Sequence, residues 1–201
     1  MKWENILKAP IWNIHQKVNI TPDMRIVASP RSFEDKDTWQ NRRGVSRINK
    51  PRGLWYALGN DWIKWIKGND PMWSNRYSYV YEIHLTGNIL KLKTKQDHID
   101  FFHKYAEKDA GEDEWGKYSR HKINWGRVKS DYAGIEVMGR DFHDESLVGY
   151  RSLDVNPLQW LWTWDVNGGV VWDVNAWKVG KLLFSTEDKL WEEVDSETYW
   201  W

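Results

Sequence analysis

Tryptophan is the residue that most constrains how this chain can fold, because there are 17 of them in 201 residues. A buried indole removes roughly 150–250 Å² of surface from water, but its N–H then needs a hydrogen-bond acceptor. If all of these indoles were buried in one core, it would be difficult to provide a hydrogen-bond acceptor for each N–H. We therefore expect most tryptophans to pack in the core and some to form a surface that stacks against ring-shaped ligands.

Composition limits the class of protein. The chain has no cysteine, which favours a reducing compartment, and its 29 basic residues balance its 29 acidic ones. A neutral total gives no general attraction to nucleic acid or to anionic membranes, although residues 42–52 carry five basic residues and no acid. No apolar run approaches the roughly 20 residues that cross a bilayer, and the N-terminus does not have the pattern of a signal peptide. We expect a cytoplasmic protein that does not contact a membrane, folded as a single domain over residues 1–201.

Hydrophobic patterning predicts many short strands and two short helices, which is typical of the α+β class. The segment from 77 to 85 alternates strongly, and a turn at 86–88 predicts an antiparallel hairpin with a strand at 89–93. A second hairpin is predicted at Asn167-Gly-Gly169. The remaining predicted strands lie at 24–29, 53–58, 131–138, 159–165, 170–174 and 181–184. The predicted helices lie at 61–66 and at 97–108, the second with Ile99, Phe102, His103 and Ala106 facing inward.

The segment from 159 to 165 places three tryptophans at alternate positions. As a strand, it would carry Trp160, Trp162 and Trp164 on one face. That face is either packed against the core or is a flat stacking platform, which would be an apolar patch that needs a partner. The pattern alone leaves both alternatives open.

Motifs for several common chemistries are missing from the sequence. There is no Gly-rich phosphate loop, no dinucleotide-binding G-x-G-x-x-G, and no nucleophile elbow. The absence of cysteine excludes a thiol nucleophile and thiolate zinc sites. A cluster of Asp141, His143, Asp144 and Glu145 has the ligands for a hard cation. A solvated acidic loop is the better interpretation of that cluster, so we predict no metal site.

The run Gly53-Leu-Trp-Tyr-Ala57, followed by a short helix that carries aromatic residues, resembles the second conserved segment of the ADP-ribosyltransferase superfamily. In poly(ADP-ribose) polymerases that segment reads Gly, aliphatic, Tyr, Phe, Ala. The resemblance implies a split antiparallel β-sheet core with short helices and a cleft that binds NAD as a substrate. It implies that the cofactor-binding residues include Gly53, Leu54, Trp55, Tyr56 and Trp62.

The same resemblance suggests the catalytic residues. A late-strand glutamate in this superfamily stabilises the oxocarbenium-like ribose as nicotinamide leaves, because a carboxylate is needed where positive charge develops. Glu136, in the strand after Gly134, is the matching residue, and Asp165 is the rival carboxylate. The first motif of the superfamily is a strand with a catalytic His or Arg. The corresponding segment here offers Arg25 and Arg31, either of which would hold the NAD phosphates.

Together these features lead to the expectation of an NAD-dependent mono-ADP-ribosyltransferase or NAD glycohydrolase-like protein. Its acceptor would be a protein or a nucleic acid, and small chains of this type often act as toxins or phage-conflict factors. One alternative is a non-catalytic binding module that uses the tryptophans of 160–164 to stack sugars or bases. Another is a small interaction or inhibitor protein that acts through surface complementarity alone.

Overall fold

The computed structural model describes residues 19–29, 32–33, 50–69, 79–108, 121–142 and 156–185. Within these ranges the chain forms nine strands, three α-helices and two short 3₁₀ helices. The strands are β1 (Arg25–Ser29), β2 (Leu54–Leu58), β3 (Tyr79–Leu85), β4 (Ile89–Leu92), β5 (Ala106–Lys108), β6 (His121–Ile123), β7 (Gly134–Val137), β8 (Gly168–Val171) and β9 (Trp177–Ser185). The helices are α1 (Asp61–Asn69), α2 (Lys95–Tyr105) and α3 (Trp125–Asp131), and the 3₁₀ turns are Arg140–Phe142 and Gln159–Thr163.

Seven of the strands form one sheet, in the order β4-β7-β8-β2-β1-β3-β9. The pair β4·β7 is parallel, and the other neighbouring pairs are antiparallel. Strands β5 and β6 form a separate two-stranded ribbon. The predicted α+β class is therefore confirmed as a large, mostly antiparallel sheet with few short helices. The sequence resemblance implies a split sheet, whereas the described strands form one continuous seven-stranded sheet and this small ribbon.

The core lies on both faces of the large sheet, because side chains alternate along each strand. On one face, Ile135 and Val170 pack with α2, α3 and the second 3₁₀ turn, and Ile26 packs with α1. On the other face, Val27, Tyr56 and Val171 belong to a third apolar cluster. The candidate site is built on this second face.

The described tryptophans divide between core and boundary. Trp125, Trp164 and Trp177 are buried. Trp125 and Trp164 join Trp160 in an aromatic cluster with ring centroids 5.8–6.5 Å apart. The half-buried tryptophans among the described residues are Trp55, Trp62, Trp65, Trp160, Trp162 and Trp172. Aromatic packing is thus a main component of the described core.

The predicted strand at 159–165 is wrong. These residues form the 3₁₀ helix Gln159–Thr163, which begins after Asn156 Oδ1 accepts a hydrogen bond from the Leu158 N–H. In a 3₁₀ helix, residues two apart do not share a face. The three tryptophans are not equally buried: Trp164 is 3% exposed, whereas Trp160 and Trp162 are half-buried. The flat platform of three indoles is therefore absent from this segment.

Both predicted hairpins are also wrong. Residues 86–88 do not fold β4 back on β3, because β4 pairs in parallel with β7 across the sheet. Gly168 and Gly169 lie inside β8 rather than in a turn. A Cβ at Gly168 would lie 2.3 Å from the Tyr56 carbonyl oxygen, so close strand packing explains the glycine.

Helix α2 is confirmed near its predicted position, but its inward face is different. It begins at Thr94, whose side chain accepts from the Asp97 N–H while the Asp97 carboxylate accepts from the Thr94 N–H. This capping box starts the helix at Lys95, two residues before the predicted start. His103 is exposed, contrary to the prediction, whereas His98 is fully buried.

Candidate active site

Arg25, Tyr56 and Glu136 meet on one face of the large sheet, although they come from three distant parts of the chain. The Arg25 Nε donates to Glu136 Oε2 at 2.6 Å, and its Nη2 donates to Oε1 at 3.1 Å. The Tyr56 hydroxyl donates to Oε2 at 3.0 Å. The Glu136 carboxylate therefore accepts three hydrogen bonds, two of them from one guanidinium in the fork geometry that favours carboxylates.

Sheet register explains why Tyr56 reaches Glu136. In the order β7-β8-β2, Glu136 pairs with Gly169, and Gly169 pairs with Tyr56. Residues paired across a ladder point to the same face of the sheet. Gly169 has no side chain, so the Tyr56 ring can cross β8 above it. A Cβ at Gly169 would lie 2.4 Å from the Tyr56 hydroxyl oxygen and 2.5 Å from its Cζ.

Arg25 approaches the same carboxylate from the other side of β2. It pairs with Leu58, which lies two residues from Tyr56 and therefore on the same face. Its side chain must extend over β2 and β8 to reach β7. Arginine has a long side chain with a forked donor group, which allows Arg25 to reach Glu136 across two intervening strands.

Burial differs across the cluster. Glu136 and Tyr56 are each 4% exposed, whereas the Arg25 side chain keeps 25% of its exposure. The hydrogen bond to Glu136 is the main cause that raises the pKa of Arg25, so the guanidinium stays charged. Burial, and then the Glu136 charge, raise the pKa of Tyr56 far above its usual range. Tyr56 is therefore a protonated donor at any physiological pH, and the cluster reaches solvent through Arg25.

Asp165, the rival carboxylate, lies in a different environment. Its Oδ2 is 3.6 Å from the Lys50 Nζ, and its side chain is 42% exposed. The same Lys50 Nζ lies 5.2 Å from the centroid of the Trp55 ring. Burial is the main cause that lowers the pKa of Lys50, and Asp165 opposes that shift. The described contacts of Asp165 are thus on the Trp55 side of β2, opposite Tyr56.

The other predicted cofactor-binding residues are not brought together with Glu136. Trp55 packs on Trp164, with ring centroids 4.9 Å apart, in the core of the opposite face. Trp62 stacks on Trp65 with ring centroids 5.2 Å apart, and both pack on the apolar cluster that contains Ile26 and Ile63. Leu54 is 3% exposed and is part of the core. Of the predicted aromatic set, Tyr56 is the residue whose described contacts include Glu136.

Two further predicted residues have different outcomes. Gly53 lies against β8, because a Cβ there would be 2.4 Å from the Val171 carbonyl oxygen. Its conformation serves close strand packing at the entry to β2. Arg31 lies outside the described residues. Of the two arginines that were expected to hold the NAD phosphates, the structure therefore describes only Arg25.

Sequence reasoning missed two residues of this face. The sequence predicts Gly169 in a turn, although a glycine next to alternating apolar residues is equally a signal of close packing within a strand. Lys91 pairs in register with Glu136 on the neighbouring strand β4 and is exposed. The alternation of Lys91 with two buried or half-buried leucines was visible in the sequence, but its parallel partner was not, because register depends on the fold.

The residues that the structure describes contain no group of three or more His, Asp or Glu side chains that could hold a metal ion. Of the acidic cluster considered above, Asp141 is exposed, and the other three members lie outside the described residues. Among the described helices, none is long and apolar enough to span a membrane.

Comparison with protein families, with curated proteins and with solved structures gives no match for this chain. The function must therefore be argued from the site itself.

Proposed function

We propose that this protein is an NAD-dependent ADP-ribosyltransferase or NAD glycohydrolase. The observation that supports this proposal is the convergence of Arg25, Tyr56 and Glu136. In the sequence resemblance, Arg25 corresponds to a residue that holds the NAD phosphates and Tyr56 to one that contacts nicotinamide. Glu136 corresponds to the glutamate that stabilises the transition state. They come from separate segments, and their side chains meet within hydrogen-bond distance.

The proposed chemistry breaks the bond between the ribose C1′ and the nicotinamide nitrogen. Nicotinamide leaves with the bonding electron pair, and positive charge develops on the ribose. The Glu136 carboxylate stabilises this charge, as fixed negative groups do when they lie where charge develops. A hydroxyl or amine of the acceptor, or water in hydrolysis, then attacks C1′ and loses its proton to solvent. No redox step is involved.

Arg25 and Tyr56 have distinct roles in this proposal. In the absence of substrate, two bonds from Arg25 and one from Tyr56 hold the carboxylate, and the Tyr56 bond is the one that continues to orient it when NAD is bound. Arg25 is the partly exposed member, so the pyrophosphate of NAD can compete for its guanidinium and draw it away from Glu136. That movement exposes the carboxylate to the ribose. The aromatic contact with nicotinamide is assigned to Tyr56, because Trp55 and Trp62 belong to the opposite face.

The test is nicotinamide release from NAD, measured with the wild type, Glu136→Gln and Asp165→Asn. Glu136→Gln keeps the shape of the side chain and removes its charge, so release is expected to fall by a factor of about 100 or more. Asp165→Asn removes the rival carboxylate and is expected to retain release within about twofold, because an exposed ion pair contributes little. Near-ultraviolet circular dichroism verifies that each variant is folded.

A strict transferase requires an acceptor, so the same assay is run with biotin-labelled NAD and either total RNA or total protein. No release and no labelling by a folded wild-type protein would contradict the proposal. Release that survives in Glu136→Gln but is lost in Asp165→Asn would move the catalytic carboxylate to Asp165.

A further inference from the structure

A group of cations interleaved with aromatic rings lies at one end of the large sheet. It is formed by residues that precede β2, that end α2 and α3, and that flank β7 and β8. We call it the basic aromatic surface. Its members are Arg52, Lys104, Tyr105, Arg127, Lys129, Tyr132 and Trp172.

One half of this surface is centred on Lys104. Its Nζ lies 4.7 Å from the centroid of the Tyr105 ring and 5.8 Å from that of the Tyr132 ring. The guanidinium carbon of Arg127 lies 5.8 Å from the Tyr105 ring on the neighbouring helix. Lys104 and Arg127 are both exposed, whereas Tyr105 is a core residue that is 2% exposed. The ring of this half that reaches the boundary with solvent is the half-buried Tyr132.

The other half is centred on Trp172. The Lys129 Nζ lies 5.6 Å from the centroid of the indole, and the indole N–H donates to the Tyr132 carbonyl at 2.7 Å. That hydrogen bond fixes the edge of the ring and leaves the half-buried indole at the boundary with solvent. Burial first, and then the nearby positive charge of Arg52, lower the pKa of Lys129. Two cations are thus close enough to repel each other.

Three acidic side chains lie at this end of the part of the chain that the structure describes, and one of them, Glu107, accepts from Asn124 at the start of α3. The Asp131 carboxylate accepts from the Tyr105 hydroxyl at 2.5 Å and lies 3.4 Å from the Lys104 Nζ. Asp173 is exposed and accepts from the Asn175 N–H within its own turn. Arg52, Lys104, Arg127 and Lys129 outnumber these three carboxylates, so the described part of the surface keeps a positive excess in a chain whose net charge is zero.

We infer that the basic aromatic surface binds single-stranded nucleic acid. Cations that follow a backbone and rings that stack on unpaired bases are the two features that sequence-independent binding of single strands requires. Lysine stems are flexible, so Lys104 and Lys129 can turn to phosphates and leave the half-buried rings of Tyr132 and Trp172 to bases. A duplex would offer the phosphates but not the stacking faces of its bases.

The basic aromatic surface and the candidate active site lie on opposite faces of the same strands. Gly134, Val171 and Leu54 form the row of the sheet next to it, and Glu136, Gly169 and Tyr56 lie two residues further along the same strands. Two residues of a strand span about 7 Å. The Glu136 side chain points to the face opposite α2 and α3, so the sheet itself separates it from a strand bound on the basic aromatic surface. The inferred binding therefore does not depend on the proposed function.

The test is fluorescence anisotropy of labelled oligo(dT) and oligo(U) of about 12 nucleotides, without NAD. Binding is expected with a dissociation constant on the order of 1–100 µM at physiological salt. Because each cation contacts a phosphate, Lys104→Gln, Arg127→Gln and Lys129→Gln are each expected to reduce the salt dependence of log K by about 0.7. Lys178→Gln, an exposed cation on β9 at the far edge of the sheet, is the matched control and is expected to bind as the wild type does.

Stacking is tested with Tyr132→Ser and Tyr132→Phe. The serine variant is expected to bind on the order of tenfold more weakly, and the phenylalanine variant to retain wild-type affinity, because the ring and not the hydroxyl stacks on a base. No oligonucleotide binding by the wild type, an equal loss in Lys178→Gln, or equal affinity for a duplex of the same length would overturn the inference. Equal competition by poly-glutamate would identify a surface for polyanions in general and would overturn it as well.

Failure of this inference can be distinguished from failure of the proposed function. Glu136→Gln is expected to bind the oligonucleotide as the wild type does, because Glu136 is buried and lies outside the basic aromatic surface. A protein that binds the oligonucleotide but releases no nicotinamide would retain this inference alone. One that releases nicotinamide but binds no oligonucleotide would retain the proposed function alone.

Discussion

The phenol of Tyr56 lies so close to Gly169 that a Cβ at that glycine would be 2.4 Å from the Tyr56 hydroxyl oxygen. Gly169 stands between Tyr56 and Glu136 in the sheet, and its hydrogen side chain is what lets the two side chains meet. The candidate active site therefore depends on a residue that makes no chemical contribution of its own.

Gly169→Ala is accordingly expected to destabilise the protein by about 1–3 kcal/mol, in the range of overpacked core substitutions. The added methyl would also lie 2.4 Å from the Ile135 carbonyl oxygen, which belongs to the backbone and cannot rotate away. Urea denaturation measures the change in the free energy of unfolding. Gly180→Ala is the control, because its closest neighbour is the exposed side chain of His84, which can move. Equal losses in the two variants would contradict this account.

The ion pair between Arg25 and Glu136 predicts strongly non-additive mutations. Arg25→Met leaves a buried carboxylate without its main donor and is expected to cost about 3 kcal/mol, the lower end for broken buried pairs, because Arg25 keeps some exposure. Glu136→Gln in the same background removes the unpaired charge. The double variant is therefore expected to recover at least about half of the stability that Arg25→Met loses.

Urea denaturation of the wild type, both single variants and the double variant completes the cycle. Additive losses would show that the two side chains do not stabilise each other. In that case the hydrogen bonds between Arg25 and Glu136 would contribute no measurable coupling to the free energy of unfolding.

His98 predicts a specific loss of stability in acid. It is fully buried, its Nε2 lies 3.4 Å from the Met138 carbonyl oxygen, and burial lowers its pKa, while Asp97 opposes that shift. A histidine whose pKa is lower in the folded state is neutral in both states at high pH. Its contribution to stability is therefore intact above the unfolded value of about 6.5 and is lost as the pH falls below it.

The measurement is the urea midpoint of the wild type and of His98→Phe at several pH values from about 8 to 5. Phenylalanine fits the apolar surroundings of Phe142 and Trp160 and does not titrate. As the pH falls, the urea midpoint of the wild type is expected to decrease more than that of His98→Phe. His103→Phe, an exposed position on the same helix, is the control and is expected to show no such shift. Parallel pH profiles for the wild type and His98→Phe would exclude burial as the cause.

Local signals predicted the elements that are fixed by nearby residues. Strand β2 and helix α2 lie close to where alternation and helical spacing placed them. The clustering of Arg25, Tyr56 and Glu136 was not a property of spacing. Each residue type was suggested by the resemblance, but their contact depends on β8 entering the sheet between β7 and β2.

The wrong predictions have a common physical cause. Alternation at 159–165 and the glycines at 167–169 are local signals that tertiary packing overrode. A 3₁₀ turn can bury the Trp164 indole and half-bury the Trp160 indole as well as a strand can. The glycines satisfied a need for close approach between strands rather than for a turn. Neither the parallel pairing of β4 with β7 nor the position of Lys91 beside Glu136 can be read from hydrophobic periodicity, because register is a non-local property.

Tyr56→Phe separates the two roles proposed for Tyr56. It removes the hydroxyl that donates to Glu136 Oε2 and keeps the ring. A hydrogen bond to a charged group contributes about 1.5–3 kcal/mol, so nicotinamide release is expected to slow by roughly 10- to 100-fold if that bond positions the carboxylate in the transition state. The affinity for NAD, measured by tryptophan fluorescence, is expected to stay within about twofold because the ring is intact.

Tyr56→Leu removes the ring as well, so it is expected to weaken NAD binding in addition to slowing release. Tyr81→Phe is the matched control, because its hydroxyl lies on the same face but bonds with Ser32 and with the Phe33 N–H rather than with Glu136. A Tyr56→Phe variant with wild-type release would show that Arg25 alone orients Glu136. An equal loss of release in Tyr81→Phe would attribute the effect to general loosening of this face, because the two hydroxyls have no partner in common among the described contacts.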